Sequence, residues 1–313
     1  MDCQFVREEL LAQIAAPVEE QAITVAGIDT AYLATGKGQP LLLLHGATAG
    51  GALSWYPLLS TLAKRFRVIV PDCPGYGNST MRPIDHTIPR FMQWLDAFLT
   101  TVQIDKATVM GTSQGGALAM RYALFAPTRV AKLVLINTAG LSSRMSPRIA
   151  LFAAGNFLLS RCSTQLLQKF FEQLFLFQHN PHTLRLQLYR RYTRAVALSP
   201  AFQQVSWLQR TIQLNRPLQL RELQQIQQPT LLLASAKDRL FPPKVAREAS
   251  AYIPQVQFHV VPQTGHAAFL ENPLDFANLV MAYLDGKSAA APPMVARSKN
   301  TDNVRIDTKY HVV

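Results

Sequence analysis

The stretch Thr108-Val109-Met110-Gly111-Thr112-Ser113-Gln114-Gly115-Gly116-Ala117-Leu118-Ala119-Met120 passes from a short apolar run to a helical pattern across a cluster of small residues. A serine on such a strand-to-helix turn needs small neighbours, because side chains there would obstruct the tight bend of the backbone. The turn holds the hydroxyl out at the carboxyl edge of a sheet. The helix N-terminus behind it favours developing negative charge, which makes Ser113 a candidate nucleophile.

The same alternation extends outward from this turn. Apolar runs at 41–44, 67–70, 108–110, 132–136, 230–233 and 257–261 predict strands, and helical patterns fall at 53–64, 89–102, 114–125, 243–252 and 273–284. Strands without a polar face, alternating with helices, predict an α/β protein with a mostly parallel sheet covered on both faces. Ahead of it, residues 22–26 and 29–35 flank a turn at Gly27 and read as a β-hairpin. Val6, Leu10, Leu11 and Ile14 predict an amphipathic helix over 4–15.

The alternation breaks once, between Asn137 and Thr230. That interval is rich in Leu, Phe, Gln and Arg and is punctuated by Pro147, Pro181, Pro200 and Pro217, so it reads as helices inserted between two strands. The expected organisation is a helical extension at 1–21, a core at 22–140 and 227–285, an inserted helical segment at 141–226 and a disordered tail at 286–313.

A serine hydroxyl needs a base to remove its proton. His266, in Pro262-Gln263-Thr264-Gly265-His266, lies on the loop after the last strand, at the same sheet edge as Ser113. His86, His179, His182, His259 and His311 sit in a loop, the insert, a strand or the tail and read as surface or packing histidines. An acid that orients the base should end another strand and lie between serine and histidine in the chain. Asp238 meets that demand, whereas Asp72 precedes the serine and reads as loop-structuring; Asn137-Thr138 offers no competing acid. Acyl transfer also requires donors for an oxyanion. The N–H of Gln114 follows the nucleophile, and the loop His45-Gly46-Ala47-Thr48-Ala49-Gly50-Gly51 supplies a second, most simply from Ala47, with Thr48 or Ala49 as alternatives. His45 suits a role in shaping that loop; His45, Gly46 and Phe269 are also candidate substrate contacts.

These residues carry a resemblance. His45-Gly46, the run Asp72-Cys73-Pro74-Gly75-Tyr76-Gly77-Asn78-Ser79, Gly111 to Gly115, Asp238, Gly265-His266 and Glu271-Asn272-Pro273 make the chain similar to the α/β-hydrolase superfamily over residues 23–284. The resemblance implies that 141–226 forms a cap over the site. The Asp72 to Ser79 run also resembles the meta-cleavage-product hydrolases, which cut carbon–carbon bonds with the same triad. The chain departs from them at Thr112, where they usually have asparagine, and at Ala267, where they have tryptophan. Ser113 argues against haloalkane dehalogenation, which uses an aspartate.

Charge and composition narrow the partners. The chain has 31 Lys and Arg against 19 Asp and Glu, a net charge of +12. Eleven of the basic residues fall in 141–226 against Glu172 and Glu222, and the tail adds +3, so the catalytic body is neutral. The positive segment has no nucleic-acid-binding motif and belongs to the part expected to cover a cleft, which argues against nucleic acid as a partner. Arg190 and Arg194 would share a helix face and suit a substrate carboxylate; basic residues around apolar helices also suit peripheral contact with an anionic membrane. Phe152, Phe157, Phe170, Phe171, Phe175, Phe177 and Trp207 predict a sizeable apolar pocket. No secretory signal or membrane-spanning run is read, and Cys3, Cys73 and Cys162 suggest neither disulfides nor zinc, so a cytoplasmic setting is expected. The sequence predicts a serine hydrolase without metal or cofactor, acting on an ester, thioester or lactone with an apolar portion. Carbon–carbon hydrolysis, acyl transfer and a hydrolase-like small-ligand sensor are the alternatives, and the oligomeric state is not legible.

Overall fold

The computed structural model describes residues 3–80, 87–142, 184–197 and 216–286. The seven aromatic residues named for the insert, most of the insert itself and the tail beyond Gly286 lie outside the described residues.

The chain begins with helix α1 (Cys3–Leu11), followed by strands β1 (Val18–Val25), β2 (Ile28–Thr35) and β3 (Gln39–Leu44). Ala26 and Gly27 both have positive φ, the geometry of a tight hairpin turn whose twist matches its strands. A 3-10 turn (Gly51–Trp55) leads into α2 (Tyr56–Leu62), then β4 (Phe66–Pro71), α3 (Ile88–Thr101), β5 (Ala107–Thr112), α4 (Gln114–Phe125) and β6 (Val130–Ile136). The insert contributes α5 (Leu184–Ala197), and α6 (Leu220–Gln224) returns the chain to β7 (Thr230–Ser235). Next come α7 (Pro243–Ser250), β8 (Val256–Val261), α8 (Ala268–Glu271) and α9 (Pro273–Leu284).

The eight strands form one sheet in the order β1-β2-β4-β3-β5-β6-β7-β8. β1 and β2 are antiparallel, β2 runs antiparallel to β4, and every other neighbour is parallel. Successive residues of the central strands point to opposite faces. Leu42, Leu44, Val109, Leu133, Leu135 and Leu232 pack with α3 and α4 on one side, and Leu41, Leu43, Met110, Val134, Ile136, Leu231 and Leu233 pack with α2, α8 and α9 on the other. Apolar residues at every position are what a sheet covered on both faces requires.

Three elements differ from the sequence reading. β1 starts at Val18, inside the expected extension, because pairing of Val18 with Thr35 carries the hairpin along the whole of β2 despite the polar Glu19-Glu20-Gln21. The helix expected over 53–64 is divided into a 3-10 turn and α2, and α1 ends at Leu11 rather than near residue 15. Val6 and Leu10 of α1 are buried in the cluster that also takes Leu188, Tyr192 and Val196 of α5. Arg7 of α1 donates to the Tyr192 hydroxyl at 2.8 Å and to Glu20 at 2.7 Å, and Arg191 pairs with Glu9 at 3.4 Å. The N-terminal helix therefore packs on the inserted helix.

Candidate active site

Ser113 occupies the turn between β5 and α4 with φ +53° and ψ −120°, a left-handed conformation that costs a non-glycine residue strain. Its surroundings hold it there. The Ser113 N–H donates to Ile136 O at 3.0 Å, and the Ser113 carbonyl accepts from Ala139 N–H at 3.0 Å. The flanking glycines are sterically required, since a Cβ on Gly111 would lie 2.3 Å from Gly115 O and one on Gly115 would lie 2.1 Å from Leu44 O.

The loop after β3 comes directly against the serine. A Cβ on Gly46 would sit 3.1 Å from Ser113 Cβ and 3.7 Å from its Oγ. Within that loop Thr48 N–H is turned back onto Gly46 O at 2.7 Å, which removes it from the oxyanion donors considered above. Ala47 stands next to Gly46 in the chain, and Gln114 opens α4 directly after the serine.

His45 shapes this loop through backbone contacts at its ring. Cys73 N–H donates to its Nε2 at 2.9 Å and its Nδ1 lies 2.7 Å from Gly46 O, so backbone occupies both ring nitrogens. An Nε2 that accepts requires Nδ1 to carry the proton. Burial pushes the imidazole below its ordinary pKa, against the opposing pull of Asp72. Asp72 ties the loop from the other side. Its Oδ1 accepts from Ala52 N–H at 2.6 Å and its Oδ2 from Asn78 N–H at 2.9 Å, while burial raises its pKa.

At the far strands, Asp238 follows β7 and His266 follows β8. His266 Nδ1 lies 2.8 Å from Asp238 Oδ2, and Asp238 Oδ1 accepts from Leu240 N–H at 2.8 Å and Phe241 N–H at 3.0 Å. Both residues are buried. With both carboxylate oxygens accepting, the imidazole proton belongs on Nδ1, and Nε2 is left as the basic atom. Glu271 accepts from Gly265 N–H at 2.9 Å and steadies the histidine loop.

The structure thus joins Asp238 directly to His266, and Gly46 directly to Ser113. The strand end 136–139 links the two halves, because Ile136 and Ala139 hold the Ser113 backbone while Asn137 Nδ2 donates to His266 O at 2.7 Å. Phe269 is 3% exposed and stacks on Trp55 at 4.6 Å, so its ring belongs to the core packing. Arg194 is exposed and Arg190 half-buried.

Sequence reasoning missed two residues. Asn137 stands out in the sequence only as the absence of an acid at that strand end. Tyr189 of α5 is buried, and its hydroxyl lies 3.0 Å from Thr48 Oγ1, which connects the inserted helix to the loop beside Ser113. Among the described residues no cluster of three His, Cys, Asp or Glu is arranged to hold a metal ion, and no helix is long and apolar enough to cross a membrane.

Comparison with known proteins places these features in context. A family model described as the alpha/beta hydrolase fold matches residues 39–273. The chain is 30% identical over 277 residues to 2-hydroxymuconate semialdehyde hydrolase of Pseudomonas sp. strain CF600, covering 86% of this chain and 95% of that one. It is 29% identical over 257 residues to pimeloyl-[acyl-carrier protein] methyl ester esterase of Nitrosomonas europaea, covering 78% of this chain and 95% of that one. Among solved structures, naproxen esterase from Bacillus subtilis superposes with a TM-score of 0.78 at 20% identity, covering 90% of this chain and 96% of that one, a likeness of fold.

Proposed function

Given that the chain belongs to the α/β-hydrolase family, we propose that it is a serine hydrolase that cleaves a carboxylic ester, thioester or lactone with an apolar portion through an acyl-enzyme on Ser113. The observation that carries this reading is the 2.8 Å contact of His266 Nδ1 with a buried Asp238, with Ser113 presented on a strained turn at the same sheet edge.

In this mechanism Ser113 Oγ attacks the substrate carbonyl as His266 Nε2 takes its proton. Asp238 holds the imidazole orientation and stabilises the imidazolium. The N–H groups of Ala47 and Gln114 meet the oxyanion, and the dipole of α4 adds to that stabilisation. The imidazolium then protonates the departing alcohol or thiol as the tetrahedral intermediate collapses. Water, deprotonated by His266, attacks the acyl-enzyme and releases the acid. No cofactor takes part in these steps.

A second reading keeps the same residues and changes the bond. The 30% identity to a 2-hydroxymuconate semialdehyde hydrolase and the Asp72 to Ser79 run favour hydrolysis of a carbon–carbon bond next to a ketone. Thr112 and Ala267 stand where that subfamily usually has asparagine and tryptophan, and the 29% identity to a methyl ester esterase supports the ester reading. Product analysis with p-nitrophenyl esters and a vinylogous diketone, run beside Ser113→Ala, tests both. The ester reading expects ester turnover that is lost in Ser113→Ala; diketone cleavage without ester turnover would replace it by the second reading.

The basic insert bears on the substrate or its setting. Arg190 and Arg194 lie on α5, whose Tyr189 reaches Thr48. An anionic group on the substrate, or an anionic lipid surface that presents it, is the proposed counterpart of that charge.

A further inference from the structure

The mechanism needs the loops bearing serine, acid and histidine to stay in register, although they leave three different strands. Asn137 is the residue on which they converge. It follows β6, is 3% exposed and adopts φ +43°. Its Nδ2 donates to His266 O at 2.7 Å, to Ser235 Oγ at 2.9 Å and to Gly265 O at 3.3 Å, and its Oδ1 accepts from Ser235 N–H at 2.7 Å. Ser235 in turn accepts from Asp238 N–H at 3.2 Å and from Thr264 Oγ1 at 3.0 Å. The preceding carbonyl, Ile136 O, takes the Ser113 N–H.

We propose that Asn137 is the positioning residue of this active site, an amide that locks the histidine loop to the acid and nucleophile turns. The proposal rests on the assignment of Ser113, Asp238 and His266 given above. The chemistry of the pocket selects an amide. Two main-chain carbonyls need a donor and one N–H needs an acceptor, and Asn supplies both from a short side chain. A carboxylate of the same shape would turn an oxygen onto the carbonyl oxygens of Gly265 and His266. A left-handed backbone is also tolerated better by Asn than by most residues. The side chain touches no reacting atom, so its effect passes entirely through where His266 stands.

The test compares wild type, Asn137→Ala and Asn137→Asp for thermal unfolding, for kcat and KM on a p-nitrophenyl ester, and for the rate at which a fluorophosphonate labels Ser113. Labelling of Ser113 in the wild type establishes the triad reading independently; its absence would fail that reading rather than this one. Where Ser113 is labelled, folded variants are expected to lose roughly 10- to 100-fold in kcat and in labelling rate while KM changes little, the mark of misplaced catalytic groups rather than lost binding. The isosteric Asn137→Asp is expected to behave like Asn137→Ala, because both remove the donor. Wild-type kcat and labelling in either folded variant would overturn the proposal. Failure of both variants to fold would also overturn it, since the residue would then serve stability alone.

Discussion

Asp238 grips His266 with one oxygen, Oδ2 at 2.8 Å from Nδ1, while its other oxygen is held by the N–H groups of Leu240 and Phe241. The carboxylate is fixed before it orients the imidazole, so its loss should act on chemistry more than on folding. Asp238→Asn is expected to lower kcat by roughly 10³- to 10⁴-fold, as the amide favours the wrong tautomer. Steady-state kinetics beside a thermal melt checks this; a fall of less than tenfold would detach Asp238 from the reaction.

Gly46 offers a steric test of the oxyanion loop. A methyl group there would press on Ser113 Cβ at 3.1 Å. Gly46→Ala is expected to reduce kcat by about tenfold or more, with a smaller change in KM, because the serine and the Ala47 N–H are pushed apart. Kinetics on a short-chain ester distinguishes this from a general loss of stability.

The N-terminal helix should behave as a brace of the inserted helix. Arg7→Ala removes the donor to Tyr192 and the partner of Glu20, and leaves the Tyr192 hydroxyl buried without that bond. A loss of about 1–3 kcal/mol is expected in denaturant unfolding. A variant as stable as wild type would mean that α1 merely covers α5.

The pH dependence of stability follows from His45. Its folded pKa lies below the ordinary 6.5 because of burial, so as pH falls below about 6.5 the unfolded chain takes up a proton that the folded protein refuses. Stability from this group is therefore complete above that pH and declines on acidification. His259, half-buried and also lowered, adds in the same direction. Melting temperatures between pH 8 and 5 should fall more steeply for wild type than for His45→Gln; parallel curves would contradict the assignment.

Most of the framework was legible because the physics is local. Leu41 to Leu44 and Leu231 to Leu233 carry no polar face, which only a doubly covered sheet accepts, and Gly111 and Gly115 flank Ser113 because the turn has no room for side chains. Asp238 and His266 could be found from their places at strand ends. What escaped depended on tertiary register. Nothing local tells Val18 that Thr35 lies opposite, or Tyr189 that Thr48 lies within hydrogen-bond reach. His45 sits where a substrate contact is plausible on sequence, yet Cys73 N–H and Gly46 O engage its ring. The role of Asn137 has no motif because its partners are main-chain carbonyls on another strand's loop.

The basic character of the insert gives a further expectation. Arg190, Arg191 and Arg194 lie together on α5, where Arg191 pairs with Glu9. Replacing Arg190, Arg191 and Arg194 by Gln should weaken sedimentation with phosphatidylglycerol vesicles or raise KM for acidic esters, and leave neutral short-chain esters unaffected. No change in either measurement would make the charge a matter of solubility.

The most direct test of the central claim is the site of covalent capture. Wild-type protein incubated with a fluorophosphonate, digested and mapped by mass spectrometry, is predicted to carry the phosphonyl group on Ser113, with labelling abolished in Ser113→Ala and strongly slowed in His266→Ala. Continued ester turnover by a protein whose Ser113 stays unmodified would contradict the account.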